Sequence, residues 1–264
     1  VGRSGHTGTS RGRYQLPPGA QALWMAQRAD IPQNLKPVVP IKFHISSRTD
    51  SGVHALCNAA HLDIQRAPGK PAFQERELIR GLNHHLKSEP IRILSAYRVT
   101  SDFHARFSAL SRTYIYRLLL GCTRWSEVPV FERDLCWAPP GGYLDVPAMQ
   151  DAARFLLGTH DFSTFRSNGP LHGPPTWKEL RMCEEAVNPA GMCELPQRNL
   201  LSHVLSFQVR RMVGALVAVG QGKLTPHQIK ELLELRDARA LPPHAMAPPA
   251  GLFLKCVEYN EAGG

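Results

Sequence analysis

Short runs of alternating apolar residues bracket one helical stripe between positions 41 and 99, and that order limits the fold more than any other feature. "IKFHI" places Ile41, Phe43 and Ile45 on one side of an extended chain, and "AAHLDI" does the same with Ala60, Leu62 and Ile64. Between them lies a polar run, "SSRTDSGVHA", residues 46–55. "FQERELIRGLNHHL" then spaces Leu78, Ile79, Leu82 and Leu86 at helical intervals. "IRILSAYRV" returns to alternation through Ile91 and Ile93, continued by Ser95 and Tyr97. Half-buried strands need partners and an apolar cover, so strand, loop, strand, helix, strand predicts an α+β unit.

A second set of elements follows. "SRTYIYRLLL" puts Tyr114, Tyr116 and Leu118 on one strand face. "MQDAARFLLG" carries a helical stripe of Met149, Ala152, Ala153 and Leu156, with Gly158 as its stop. "VRRMVGALVAVG" is the clearest helix, its stripe formed by Val209, Met212, Val213, Leu216 and Val217. Another helix opens at "TPHQIKELLEL", where Thr225 caps, Pro226 takes the first helical position and Gln228 completes a capping box. "GLFLKCVEY" closes as a strand. Two α+β halves facing one another are therefore expected. Residues 167–205 show no clear period, and residues 1–37, rich in Gly, Ser and Arg with no acid before Asp30, read as a flexible basic arm.

Composition narrows the partners. Lysine and arginine number 31 against 22 acids, a formal charge of +9 with histidine neutral. Such an excess serves solubility or a polyanionic partner, nucleic acid or an acidic membrane surface. No stretch approaches the roughly 18 apolar residues of a membrane-crossing helix. The 6 cysteines form no C-x-x-C pair, and the first residues lack a secretory signal's apolar core, so reduced thiols inside a cell are expected. The 12 histidines show no H-E-x-x-H or Cys/His ladder. They read as ordinary core or surface residues, and neither metal nor cofactor is expected.

Four places invite chemistry. Asp50 lies in a Ser/Asp/Gly run between strands, where turn formation is the commoner use of aspartate. Arg48, two residues before it, suggests instead an ordered carboxylate or a phosphate contact. Arg210 and Arg211 sit near the start of an apolar helix, where the macrodipole disfavours positive charge. They are either a solvated flank or a pair that needs an anion, and Asp50 is a candidate anion. Tyr114 and Tyr116 are core residues of a strand face or groups that stack on a base. "DFHARFSALSRTY" interleaves Arg106 and Arg112 with Phe103, Phe107 and Tyr114, as RNA grooves do. A phosphate-binding metabolic enzyme would need a Gly-rich loop between a strand and a helix, and none occurs.

Taken in order, these segments resemble the TruA family of tRNA pseudouridine synthases, and the match looks close to its vertebrate tRNA pseudouridine synthase-like branch. "SSRTDSGVHA" is similar to the family's R-T-D-A-G-V-H loop, with Ser51 in place of alanine. "SDFHARFSALSRTYIYRL", "LLGTHDFSTFR", "QVRRMVGALVAVGQGK" and "GLFLKCVEY" are similar to later blocks. The likeness covers residues 38–166 and 206–259. It implies that Asp50 is the catalytic aspartate, that Arg48 helps expose the target uridine, that Tyr114 lies near the base, and that Arg210 pairs with Asp50. It also implies two ferredoxin-like α+β halves with antiparallel sheets flanking a basic RNA-binding cleft, RNA (tRNA first) as partner, a homodimer, no membrane and no cofactor.

The family's opening strand, an F-x-Y-x-G-T type run, is not found in residues 1–37, so the fold is expected without its first strand. The hairpin strands due in residues 167–205 are not found either. The expected organisation is an arm at 1–37, a catalytic-loop domain at 38–106 and a C-terminal domain at 107–264. Work inside the cell is expected, in mitochondria, cytoplasm or nucleus. An RNA-binding protein of the same fold without turnover is the second reading.

Overall fold

The computed structural model describes residues 11–16, 43–65, 68–69, 71–166, 177–183, 186–187, 192–199, 206–242 and 245–260. Its contacts divide the chain into two compact units. One comprises residues 1–48, 55–109 and 259–264, the other 49–54 and 110–258.

The first unit holds a four-stranded sheet in the order β2-β4-β1-β5. Its strands are β1 (Arg11–Leu16), β2 (Phe43–Ile45), β4 (Ala60–Gln65) and β5 (Tyr97–Val99). Helix α1 (Glu75–His85) begins at a capping box between Gln74 and Glu77. Leu62, Ile64, Leu78, Leu86, Ile91, Ile93 and Ala96 form the core, flanked by Phe43, Phe73, Ile79 and Leu82. The apolar residues read from the sequence as one strand face and one helix stripe are thus those that pack together.

Two expectations are overturned here. The first strand is present: β1 pairs antiparallel with β4 across six residues and with β5 across three. It falls inside the stretch expected to be a flexible arm. Its sequence, "RGRYQL", alternates only weakly, and its glycine and arginines read as linker, whereas backbone hydrogen bonding from strands on both sides holds it. Conversely, Ile91 and Ile93 are buried but precede the strand rather than lie in it. The Asn83 side chain replaces a neighbouring strand there, donating to Ile93 O at 2.9 Å and accepting from Ile93 N at 2.8 Å.

The second unit carries a larger sheet in the order β3-β11-β6-β10-β8-β7, with β9 beside β10. These are β3 (His54–Ala55), β6 (Ala109–Leu119), β7 (Gly158–Asp161), β8 (Trp177–Cys183), β9 (Ala186–Val187), β10 (Met192–Asn199) and β11 (Leu252–Tyr259). The expected absence of strands in 167–205 is therefore also corrected, since β10 runs antiparallel to β6, β8 and β9. The residues of β10 show no clear apolar period, which is why the sequence did not reveal it. Pro196 is paired with Ile115 of β6 and falls between the end of the β9 pairing at Glu194 and the start of the β8 pairing at Gln197.

Helices α2 (Val146–Arg154), α3 (Ser206–Gly220) and α4 (Pro226–Leu235) complete this unit. Thr225 caps α4 and forms the capping box with Gln228 read from the sequence. α3 is buried on nearly every side from Gln208 to Val219, as its wide apolar face requires.

Replacing Asn83 with Ala leaves both polar groups of Ile93 without their partner. The expected cost is about 2 kcal/mol, read as a lower urea midpoint. An unchanged midpoint would show that the amide does not substitute for a strand.

Candidate active site

The polar loop after β2 is built in two steps. At its base, Ser46 N donates to Ala59 O (2.7 Å), and the buried Asn58 donates to Ser47 O (2.9 Å) while accepting from Ala59 N (2.9 Å). These bonds pin both ends of the loop, so the residues between them have few ways to run. Arg48, in this stretch, is exposed.

Residues 49–54 then form a tight turn within the second unit. Val53 N donates to Asp50 O at 3.0 Å, and Gly52 has φ +78°. A positive φ at the third position is the requirement of a type II turn and the reason for glycine. The turn reading of Asp50 is therefore correct for its backbone. Its side chain does something else: Oδ2 lies 3.8 Å from Nη1 of Arg210. The sequence had set the turn against a carboxylate ordered beside Arg48; the backbone makes the turn, and the carboxylate faces Arg210.

Just past the turn, His54 is fixed at two points. Its Nε2–H donates to Asp134 O at 2.8 Å, and its ring stacks on Phe253 with centroids 4.7 Å apart. The guanidinium of Arg117 also lies over the Phe253 ring. Arg117 also pairs with Glu132 at 3.0 Å. Nothing in the sequence reading singled out His54. Its place four residues after Asp50, at the start of β3, was the available signal.

Arg210 projects from the second turn of α3 and keeps only 9% of its side chain exposed, against 28% for Asp50. Its Nε–H donates to Ala247 O at 2.7 Å and its guanidinium lies over Phe207. Burial lowers its proton affinity from the ordinary guanidinium value, opposed by the charge of Asp50 and then by Tyr116. A guanidinium stays protonated through such a change. Arg211, its neighbour, does not join the site; Nη1 donates to Arg166 O at 2.5 Å.

Tyr114 and Tyr116 are both fully buried on the same face of β6. Tyr116, which the sequence reading did not select, donates to Pro248 O at 2.7 Å. Burial, against the charge of Arg210, pushes its phenol far above the ordinary value, so it remains a donor.

In the first unit, His44, His61 and His104, far apart in sequence, come together with ring nitrogens within 4.8 Å of one another. That spacing suits a cation, but the hydrogen bonding does not. Nδ1 of His61 accepts from Ala105 N at 3.0 Å, and Nδ1 of His104 accepts from Arg106 N at 3.1 Å. Neutral rings bonded this way carry their proton on Nε2, the opposite tautomer from the one a metal ligand presents there.

A part-exposed carboxylate facing a buried arginine is equipped as a general base or nucleophile. The family model described as tRNA pseudouridine synthase matches residues 152–260. Over 242 residues the chain is 52% identical to tRNA pseudouridine synthase-like 1 of Xenopus laevis, covering 86% of this chain and 79% of that one. It is 50% identical to the Homo sapiens protein of the same name, with 88% and 79% covered. Against tRNA pseudouridine synthase A of Paramagnetospirillum magneticum the identity is 38%, with 86% and 82% covered. The chain belongs to the tRNA pseudouridine synthase family.

Arg210→Lys keeps the charge but loses the planar fork that reaches Ala247 O and Asp50 together. Turnover is expected to fall roughly tenfold to a hundredfold, the worth of a charge-assisted hydrogen bond, with a folded protein by circular dichroism. Wild-type turnover in Arg210→Lys would show that charge alone suffices.

Proposed function

We propose that this chain is a tRNA pseudouridine synthase, an isomerase that converts uridine to pseudouridine with Asp50 as its catalytic residue. The observation that carries the reading is the Asp50–Arg210 pair at 3.8 Å, on a turn whose sequence is similar to the family's catalytic loop. The N1–C1′ bond breaks, the uracil turns, C5 bonds to C1′, and the proton leaving C5 is balanced by one taken up at the ring nitrogen. No oxidant, reductant or metal enters this balance. A carboxylate serves it either by attacking C1′ or by removing the 2′ proton to give a glycal.

The other residues take roles around that centre. Arg48, exposed on the same loop, enters the RNA and helps to expose the target uridine, which must leave its stack before reaction. Arg210 orients the Asp50 carboxylate. Tyr114 lies near the base. The finer form of the fold is a pair of ferredoxin-like halves with a basic RNA-binding cleft, and the assembly is a homodimer. The +9 charge supports an RNA partner. Among the described residues no helix is long and apolar enough to cross a membrane.

Tritium release from tRNA labelled at uridine C5 tests the aspartate. The parent should release it, and Asp50→Asn should not, while tRNA affinity stays within a few-fold because the change is nearly isosteric. Release by Asp50→Asn removes the catalytic assignment; no release by a folded, tRNA-binding parent favours a binder without turnover.

Binding itself has a separate signature. If the basic residues meet phosphates, the logarithm of the association constant falls linearly with the logarithm of salt concentration, by roughly 0.7–0.9 per phosphate neutralised. A flat dependence measured by filter binding would detach the charge from RNA recognition.

A further inference from the structure

The segment Ala245–Gly251, "AMAPPAG", touches both the turn that carries Asp50 and the arginine that faces it. Ala247 bonds to Arg210 in both directions: its N–H donates to Arg210 O at 3.1 Å, and its carbonyl accepts from Arg210 Nε at 2.7 Å. One residue on, Pro248 O accepts the Tyr116 hydroxyl. The next, Pro249, packs under Gly52, where a Cβ would stand 3.1 Å from the proline Cγ. Gly251 lies against Tyr116, and a Cβ there would stand 2.7 Å from the ring. At the other end, Gly214 of α3 admits the strap: a Cβ on Gly214 would fall on the Ala245 carbonyl oxygen. Ala247 and Leu252, inside and just after the strap, are fully buried.

These contacts form a closed support. α3 holds Arg210 and, through Gly214, the start of the strap. β6 holds Tyr116 and, through Pro248 and Gly251, its end. The two prolines stiffen the span between them, since each fixes its own φ. Gly52 rests on the middle. The Asp50–Arg210 separation of 3.8 Å is too long for a hydrogen bond between those atoms. The strap supplies a common seat for the turn that carries Asp50, through Gly52 on Pro249, and for Arg210, through Ala247.

We propose that the Ala245–Gly251 strap sets the position of Asp50 relative to Arg210, with Tyr116 and Gly214 as positioning residues that touch no substrate. The inference rests on Asp50 being the reacting carboxylate. Tyr116 suits the task because its hydroxyl keeps its proton, and the donor to Pro248 O therefore persists across the working range of pH.

The test uses Tyr116→Phe, which removes one hydroxyl, and Gly214→Ala, which displaces the strap at its root. Tritium release from tRNA gives kcat and KM for each, with Asp50→Asn in parallel and thermal midpoints recorded. For Tyr116→Phe we expect kcat to fall about five- to thirtyfold, the effect of leaving one buried acceptor unpaired, with KM within twofold of the parent. Gly214→Ala should lose more, again in kcat. A residue that serves stability alone would lower the midpoint but leave kcat intact at 20 degrees below it, and that result would overturn the proposal. Should Gly214→Ala not fold, Tyr116→Phe decides. If Asp50→Asn is inactive while both strap variants turn over like the parent, the strap inference falls and the aspartate stands. If Asp50→Asn retains turnover, the aspartate assignment falls and the inference built on it falls as well.

Discussion

Helix α3 is buried on almost all sides, yet it carries a guanidinium into its second turn, and much of the second unit is arranged around that charge. Taking a cation out of water costs several kcal/mol unless its donors and charge are matched. Here the Nε–H goes to Ala247 O, the flat face lies over Phe207, and the Asp50 carboxylate supplies the opposite sign. Each partner comes from a different part of the chain. The requirement of one buried arginine therefore ties α3, the 245–251 strap and the 49–54 turn into a single arrangement. Removing the cation's partners would leave an uncompensated charge, which is a stronger constraint than the modest net worth of the ion pair.

The turn itself separates two uses of one residue. Asp50 closes it through its backbone carbonyl, and Gly52 provides the left-handed backbone that allows the reversal. Backbone and side chain thus satisfy different demands, so the carboxylate need not act as a turn-maker. The fixed ends of the loop strengthen this division. Ser46, Asn58 and Ala59 bond at its base, while His54 is held by Asp134 O and the Phe253 ring beyond it. Bonds at these points limit the conformations open to the backbone between them.

The legible parts of this molecule were those in which a side-chain period coincides with an element. Ala60, Leu62 and Ile64 alternate and are buried in β4; Val209, Met212, Val213 and Leu216 follow a helical stripe and are buried in α3. Thr225, Pro226 and Gln228 announced a helix start because capping is a local interaction. The segments that were misread owe their structure to partners distant in sequence. β1 is a strand because β4 and β5 lie on either side of it, and β10 because β6, β8 and β9 pair with it. Asn83 turning Ile93 away from a ladder is of the same kind. The site shows the same divide: the family resemblance implied that Arg210 pairs with Asp50, but Tyr116 looked like any tyrosine on a strand face, and its bond to Pro248 spans 132 residues.

The glycines sharpen that argument. Gly52 is required by its own φ, whereas Gly214 and Gly251 are required by what lies against them, a carbonyl oxygen in one case and a tyrosine ring in the other. A motif reading finds the first kind, because a turn is local. It cannot separate the second kind from any small residue in a helix or at a strand start, since the neighbour that excludes a Cβ comes from elsewhere in the chain. In this protein both non-local glycines border the same strap, and the strap borders the charged pair. A substitution as small as one methyl group at either position would therefore be transmitted to the carboxylate through packed backbone, which yields little in a dense interior, rather than through any change in the charged residues themselves.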